Sequence, residues 1–477
     1  MNFDEEILTP PEPEPIEKHD ILAQPTVTEM DEELVLEFRE LIQLHSVPVL
    51  SNLLSDLYPA DIATLINRLN GEEAEYLFNL LDAETGSEVL TMIDEQHRAS
   101  LYEFLGKARL TSIINQLDSD DATDLVAEMP AQIAEQVLEN LDFPAQKEVQ
   151  ELLQYGESTA GGIMAKEFIA VPANDTVHKA IAVVRKIAKS ISDIYMLYVV
   201  DEGGKLVGDL PIKDLLIHSP NRRMRNIMNR DVITANVTLD QEEVARLFKK
   251  YDLFELPILR DDGTLVGTIS FDDVVDVMEE EASEDVYKMV GSDASEIEKK
   301  SPLAIAKMRI PWLLASMGVS LVSGIVVSLF NETLSRIILL TSFMPVISAI
   351  SGNVGLQASV ITVRSLATGH LNPSEWKRAW WREIRTVMII AFVCGITLGG
   401  IAMLWSRQWL FGVVVGSSMF CAMSTAGTMG TLSPIVSKKL GFDPAATAGP
   451  LETTFQDIIG FSIFLGLATL LLKWLEV

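Results

Sequence analysis

The chain has 477 residues, with 37 Lys and Arg against 68 Asp and Glu and a net charge of −31; it is too long for one compact core and too acidic for a nucleic-acid partner, because phosphate binding needs clustered Lys and Arg. The charge is uneven: from Ile305 onward there are 12 basic and 7 acidic residues, which leaves 37 − 12 = 25 basic and 68 − 7 = 61 acidic residues before it. The first part therefore carries −36 and the last +5, a surface that repels polyanions and attracts cations, with solubility alone as the plainer explanation of the acidity.

The opening stretch, MNFDEEILTPPEPEPIEKHD, is acidic and Pro-rich and has neither the basic stretch nor the apolar block of a secretory signal. Residues 1–29 are expected to be disordered and the N-terminus to stay in the cytoplasm. From 30 to 155, apolar residues recur at helical spacing in short blocks punctuated by Pro59, Gly71, Gly86, Gly106, Pro130 and Pro144, which predicts a run of short helices. Leu57–Leu69 resembles Leu117–Met129 at its apolar positions. That self-similarity predicts a duplicated helical unit stacked as a small superhelix.

Between 156 and 280 short β-branched runs alternate with amphipathic helices, and the order occurs twice, over 156–219 and 220–280. In each copy a strand ends in an acidic-Gly hairpin (Asp201 to Gly204, Asp261 to Gly263), a strand ending in Val-Gly follows, and a helix is predicted to begin at Asp214 or Asp273. The repeated order resembles a tandem pair of CBS domains, α/β modules that commonly bind adenine nucleotides or ions and pass the information on. A charged amphipathic segment follows over 281–306 and is predicted to be a helix running straight into the membrane region, with a solvated linker as the competing explanation.

Five apolar runs begin near Trp312, Ile337, Val387, Leu410 and Leu451. Each reaches the roughly 20 residues needed to cross the hydrocarbon core, so 307–477 is predicted to be a five-helix membrane domain with its two ends on opposite sides of the lipid bilayer. Lys307 and Arg309 precede the first run, Arg364, Lys377, Arg378, Arg382 and Arg385 follow the second, and Lys438 and Lys439 follow the fourth; the opposite connections hold only Arg336 and Arg407. The positive-inside rule then puts the soluble part in the cytoplasm and the C-terminus in the periplasm or outside. Cys394 and Cys421 lie in apolar runs and read as packing residues.

An ionised carboxylate inside a bilayer costs several kcal/mol or more unless water or a cation compensates, which singles out Glu452 and Asp457 in the fifth run. Glu452 is near the cytoplasmic end, and Asp457 is about one and a half turns deeper. In the second run Pro345 is followed by Ser351, Gly352, Asn353, Gly355 and Gln357. This predicts a loosened, polar helix lining a water-filled path, with close packing through small residues as the alternative for Gly352 and Gly355. Carboxylate, carbonyl and amide oxygens suit magnesium, a hard cation that dehydrates reluctantly. The six histidines are scattered and offer no softer metal site.

Taken in order, these parts resemble the MgtE family of magnesium channels over nearly the whole chain, with SGNVGLQAS and GFDPAATAGPLETTFQDIIG matching its two pore signatures. The resemblance implies a multi-pass protein of the inner (plasma) membrane that transports rather than catalyses. It further implies a homodimer with the pore on its two-fold axis, where Asp457, Asn353, Gly352, Gly355, Glu452, Thr453 and Gly449 form the ion path and Asp457 faces a hydrated magnesium ion. It also implies a gate closed by cytoplasmic magnesium, bound by Asp120, Asp124, Glu242, Asp252, Asp273, Asp276, Glu281, Glu284 and Asp285. Cobalt or manganese are left open as further ions. Met196, Lys213 and Leu253 stand where the family's nucleotide site would carry Tyr, Arg and Phe, which counts against ATP binding. Glu452 stands where the family usually carries an uncharged residue, and Gly449 near a place where some members carry Asn. The rival readings are an ion-coupled magnesium or cobalt carrier and an intramembrane aspartyl protease; the latter needs paired acids, and two acids five apart on a helix point about 140° from each other.

Overall fold

The structure is a computed structural model that describes residues 32–188, 194–292, 301–447 and 449–471, without the side chains of 447, 450, 451, 453 and 454. The acidic tail over 1–29 and residues 293–300 of the connecting segment thus lie outside the described residues. The chain divides into two units, 1–155 with 165–167, and 156–164 with 168–477.

The first unit is helical: α1 Glu32–Gln43, α2 Val47–Ser55, α3 Pro59–Asn67, α4 Gly71–Phe78, α5 Ala83–Met92, α6 Glu95–Phe104, α7 Gly106–Ile114, α8 Ser119–Glu128, α9 Ala131–Asn140 and α10 Phe143–Leu152. Helix α3 packs on α5, α5 on α7 and α7 on α9, while α4 packs on α6 and α8 on α10, the alternate-helix stacking expected of a small superhelix. The repeat is visible in burial. Ile62, Ala63, Leu65, Ile66 and Leu69 occupy the same places as Ala122, Thr123, Leu125, Val126 and Met129, and all ten are buried.

In the second unit two similar sheets come first. Strand β1 (Ala170–Pro172) pairs parallel with β2 (Met196–Val200), which pairs antiparallel with β3 (Leu206–Pro211), and α11 (Val177–Ile187) joins the first two. Strands β4 (Ala235–Asn236), β5 (Glu255–Leu259) and β6 (Leu265–Ser270) repeat that pattern, with α13 (Gln241–Tyr251) as the crossover. Each antiparallel pair carries a bulge just before its hairpin, at Val199/Val200 and Ile258/Leu259. Gly204 and Gly263 take φ of 77° and 85° in those turns, a conformation that costs a residue with a Cβ.

The helices after β3 and β6 start earlier than predicted: α12 spans Ile212–Ile217 and α14 Phe271–Met289. Asp273 is the third residue of α14 and closes a capping box with Ser270, so the acid marks the first turn without beginning it. Helix α14 takes in the last helix of the second repeat and the first part of the connecting segment as one rod, which ends at Met289 and turns at Gly291 rather than running into the membrane region.

Helices α15 (Pro302–Leu329), α17 (Leu340–Ala367), α18 (Trp376–Ser406) and α19 (Trp409–Leu440) are long and apolar enough to cross a membrane. Short α16 (Asn331–Arg336) and α20 (Pro444–Thr447) fall between them and α21 (Pro450–Leu470). Helix α21 packs against α15, α17 and α19 and, at 21 residues, is shorter than the other four. Helices α18 and α19 cross on glycines: a Cβ on Gly399 would meet Gly412 O at 2.7 Å, and one on Gly412 would meet Gly399 O at 2.5 Å. Backbones this close need small residues. Helix α17 is unbroken through Pro345 and Ser351–Gly355, so the expected opening of its backbone is absent. Its glycines instead make room for a neighbour, since a Cβ on Gly355 would lie 1.7 Å from Gln456 Nε2.

Candidate functional site

Helix α21 carries Asp457 half-buried, with Oδ1 accepting a hydrogen bond from the Ser348 hydroxyl on α17. Ser348 was not singled out by sequence; one serine in an apolar run looks like any other until a partner helix is known. Gly352, one turn beyond Ser348, is buried. Asn353 is exposed, about 140° round α17 from Ser348, with Gln357 exposed one turn further along the same face. The structure therefore brings Asp457 to Ser348 rather than to Asn353.

Glu452 is buried and accepts a 2.9 Å hydrogen bond from Gln456 Nε2. It points away from Asp457, toward Gly430, where a Cβ would meet its Oε1 at 2.7 Å. Gly449 is buried just before α21, and a Cβ there would come 2.2 Å from Met289 O. The end of α14 thus rests on the start of α21. Thr453 lies on α21, but its side chain is outside the described residues.

Of the acids assigned to the gate, Glu242, Glu281, Glu284 and Asp285 line one cavity of about 410 Å³, joined by Asp240, Asp443, Lys288 and Lys438. Asp443 stands in the GFDPAATAGP stretch, yet nothing in its sequence neighbourhood shows that α14 reaches it. Asp252 is elsewhere, an exposed left-handed cap with φ 51° at the end of α13. Asp273 is engaged in its capping box, and Asp276 is exposed one turn on. In the first unit Asp120 is buried and Asp124 exposed, one turn apart on α8. Among the described residues no three His, Cys, Asp or Glu side chains converge closely enough to hold a metal ion together.

Lys288 and Lys438 share the cavity, and Arg246 pairs with one of its acids from outside it. Lys288 Nζ pairs with Glu284 and Asp443, Lys438 Nζ stands 3.5 Å from Glu242, and Arg246 pairs with Glu242 and donates to the Ala367 carbonyl at 3.0 Å. Burial, together with Asp443 and Glu242, still pushes the Asp285 carboxyl up to about 6, and burial raises Glu281 as well. Lys288 and Arg364 offset only part of this repulsion, so the acids still favour a further positive charge.

Comparison with known proteins agrees with this architecture. The family described as "Divalent cation transporter" matches residues 344–467, "MgtE intracellular N domain" matches 57–158, and "CBS domain" matches 160–221 and 224–280. The magnesium transporter MgtE of Bacillus subtilis is 30% identical over 92% of this chain and 97% of its own length. That of Thermus thermophilus is 32% identical over 93% of this chain and 100% of its own. A crystal structure of the cytosolic domain of the Mg2+ channel MgtE in complex with ATP is 34% identical, covers 51% of this chain and 99% of its own, and superposes with a TM-score of 0.49. By identity across nearly its whole length, the chain belongs to the MgtE family of magnesium transporters.

Proposed function

We propose that the chain is a magnesium channel of the inner (plasma) membrane, a homodimer of five-span subunits organised in the six segments predicted from sequence, with its N-terminus in the cytoplasm and its C-terminus on the opposite side. The observation that carries the reading is the Asp457 carboxylate, held half-buried by Ser348 inside a bundle of apolar helices. A carboxylate persists there where a cation or water compensates it. Asn353 and Gln357 support the dimer, because two amides on one exposed face of a membrane helix are poorly served by lipid and well served by a second copy. The path consists of Asp457, Ser348, Asn353 and the Gly352–Gly355 segment, with Thr453 beside it, and magnesium passes largely hydrated.

The same ion closes the path from the cytoplasmic side. Glu242, Glu281, Glu284 and Asp285 surround a cavity wide enough for a hydrated ion, and α14, which carries three of them, abuts Gly449 at the start of α21. Asp120, Asp124, Asp252, Asp273 and Asp276 add acidic charge that magnesium screens. When magnesium falls, repulsion among these carboxylates drives the segments apart and α14 is drawn off α21. The test is magnesium flux into liposomes holding a magnesium-sensitive dye, with magnesium varied on the cytoplasmic face. Passive flux that shuts down as that magnesium rises supports the channel, whereas flux that requires a sodium or proton gradient supports a carrier.

A further inference from the structure

Glu452, Gln456 and Ser359 are 4%, 5% and 0% exposed, at a place where α21 meets α17 and α19. Gln456 Nε2 donates to Glu452 Oε1 at 2.9 Å and the Ser359 hydroxyl is turned to the same carboxylate, while Glu452 Oε2, Gln456 Oε1 and Ser359 Oγ meet no partner within close hydrogen-bond geometry. Two glycines make the space: a Cβ on Gly355 would strike the Gln456 amide at 1.7 Å, and one on Gly430 would lie 2.7 Å from Glu452 Oε1.

The charged groups on the four helices involved are Lys307 and Arg309 on α15, Arg364 on α17, Lys438 and Lys439 on α19, and Asp457 on α21. None of them stands close enough to offset the carboxylate. Three buried, unpartnered oxygens around one negative charge are the donor set of a small hard cation. One positive charge balances the site, whereas a divalent ion would leave excess charge in the membrane interior and would have to shed its water for a single carboxylate.

We propose that Glu452 Oε2, Gln456 Oε1 and Ser359 Oγ bind Na+ inside each subunit, on the far side of the Gly355 wall from the Asp457 carboxylate. The ion ties the first turns of α21 to α17 and α19 and so sets the seating of the helix that carries Asp457. This site does not depend on magnesium conduction, and its test reads melting rather than flux.

The full-length protein in detergent, free of magnesium, is melted at pH 8 in NaCl or in choline chloride of equal ionic strength, and then in choline chloride at pH 8 and pH 6. Wild type, Glu452→Gln and Ser359→Ala are compared. Sodium raising the wild-type midpoint by about 2–4 °C in a saturable way, with the rise lost in Glu452→Gln, identifies a Na+ site. Sodium inert, with acidification stabilising wild type more than Glu452→Gln, shows a buried carboxylic acid only and overturns the proposal. Groups that titrate elsewhere, such as Glu255 and Asp285, cancel in that difference. Identical responses of wild type and Glu452→Gln in both arms overturn the proposal. Should Glu452→Gln fail to fold, Ser359→Ala carries the comparison, and a response equal to wild type in both arms overturns it equally.

Discussion

Lys288 Nζ lies 2.7 Å from Asp443 Oδ2 and also pairs with Glu284, so one ammonium joins the last turn of α14 to the loop ahead of α20. Burial works against the charged amine, but the hydrogen bonds to Asp443 and Glu284 more than offset it and hold Lys288 above the ordinary lysine range. It is a tethered cation sitting where the proposed gate takes a free one.

Replacing Lys288 with Met removes that competitor and leaves Glu284 and Asp443 to magnesium alone. The pair is about one third exposed on each side, so its worth is that of a screened ion pair, roughly 0.2–1 kcal/mol. The magnesium concentration that half-closes Lys288→Met is expected to fall roughly twofold to fivefold, read from liposome flux against cytoplasmic magnesium. A requirement for more magnesium than wild type would show that Lys288 assists the ion instead of standing in for it.

Glu255 on β5 gives a dependence on pH. Burial pushes its carboxyl up to about 7, with hydrogen bonds from Tyr198 and Thr268 opposing. A carboxyl raised by folding stabilises the fold fully below its unfolded value near 4.5, and that contribution is lost as pH climbs through about 7. Wild type should therefore lose on the order of 3 kcal/mol at this group between pH 4.5 and pH 8. Glu255→Gln, neutral throughout, should show a flatter profile of melting midpoint against pH. Equal slopes for the two proteins would mean that Glu255 is already ionised in the fold at low pH.

What the sequence discloses and what it hides follow from the range of the interactions. The superhelical repeat is legible because Ile62 and Ala122 answer to the same local 3.6-residue periodicity, and the paired sheets because both hairpins need glycine at φ near +80°. Asp457 stands out because an acid in an apolar run is conspicuous on its own. Ser348, Asp443 and Lys288 acquire roles only through contacts with helices far away in the chain, and no local pattern marks them. Helix α17 misleads in the opposite direction: Pro345 and its glycines look like a break, yet neighbouring helices hold the backbone helical and use Gly355 for close approach.

Two glycines in membrane helices, Gly430 and Gly460, should respond differently to one methyl group. A Cβ on Gly430 would come 2.3 Å from the Gly355 carbonyl oxygen, whereas one on Gly460 would meet only the Ala422 Cβ at 3.9 Å. Backbone cannot swing aside as a side chain does, so Gly430→Ala must push α17 and α19 apart, at about 1–3 kcal/mol. Gly460→Ala should stay within about 0.5 kcal/mol of wild type. Thermal melting of the two variants in the same detergent checks the pair, and equal midpoints would mean that the α17–α19 contact is looser than the structure has it.

Asp457 is the remaining test, and its design separates charge from shape. Asn at 457 keeps the size and can still accept from the Ser348 hydroxyl, but it carries no charge to hold a hydrated cation. Magnesium flux through Asp457→Asn should fall at least about tenfold, the equivalent of roughly 1.4 kcal/mol of lost ion stabilisation, while the melting midpoint holds or rises because a costly buried charge is gone. Ser348→Ala keeps the carboxylate and removes one hydrogen bond that orients it, so flux should fall by less and the double variant should be no worse than Asp457→Asn alone. Near-normal flux in a folded Asp457→Asn protein would move the ion path away from α21, and additive losses in the double variant would show that Ser348 acts on the ion independently of the carboxylate it touches.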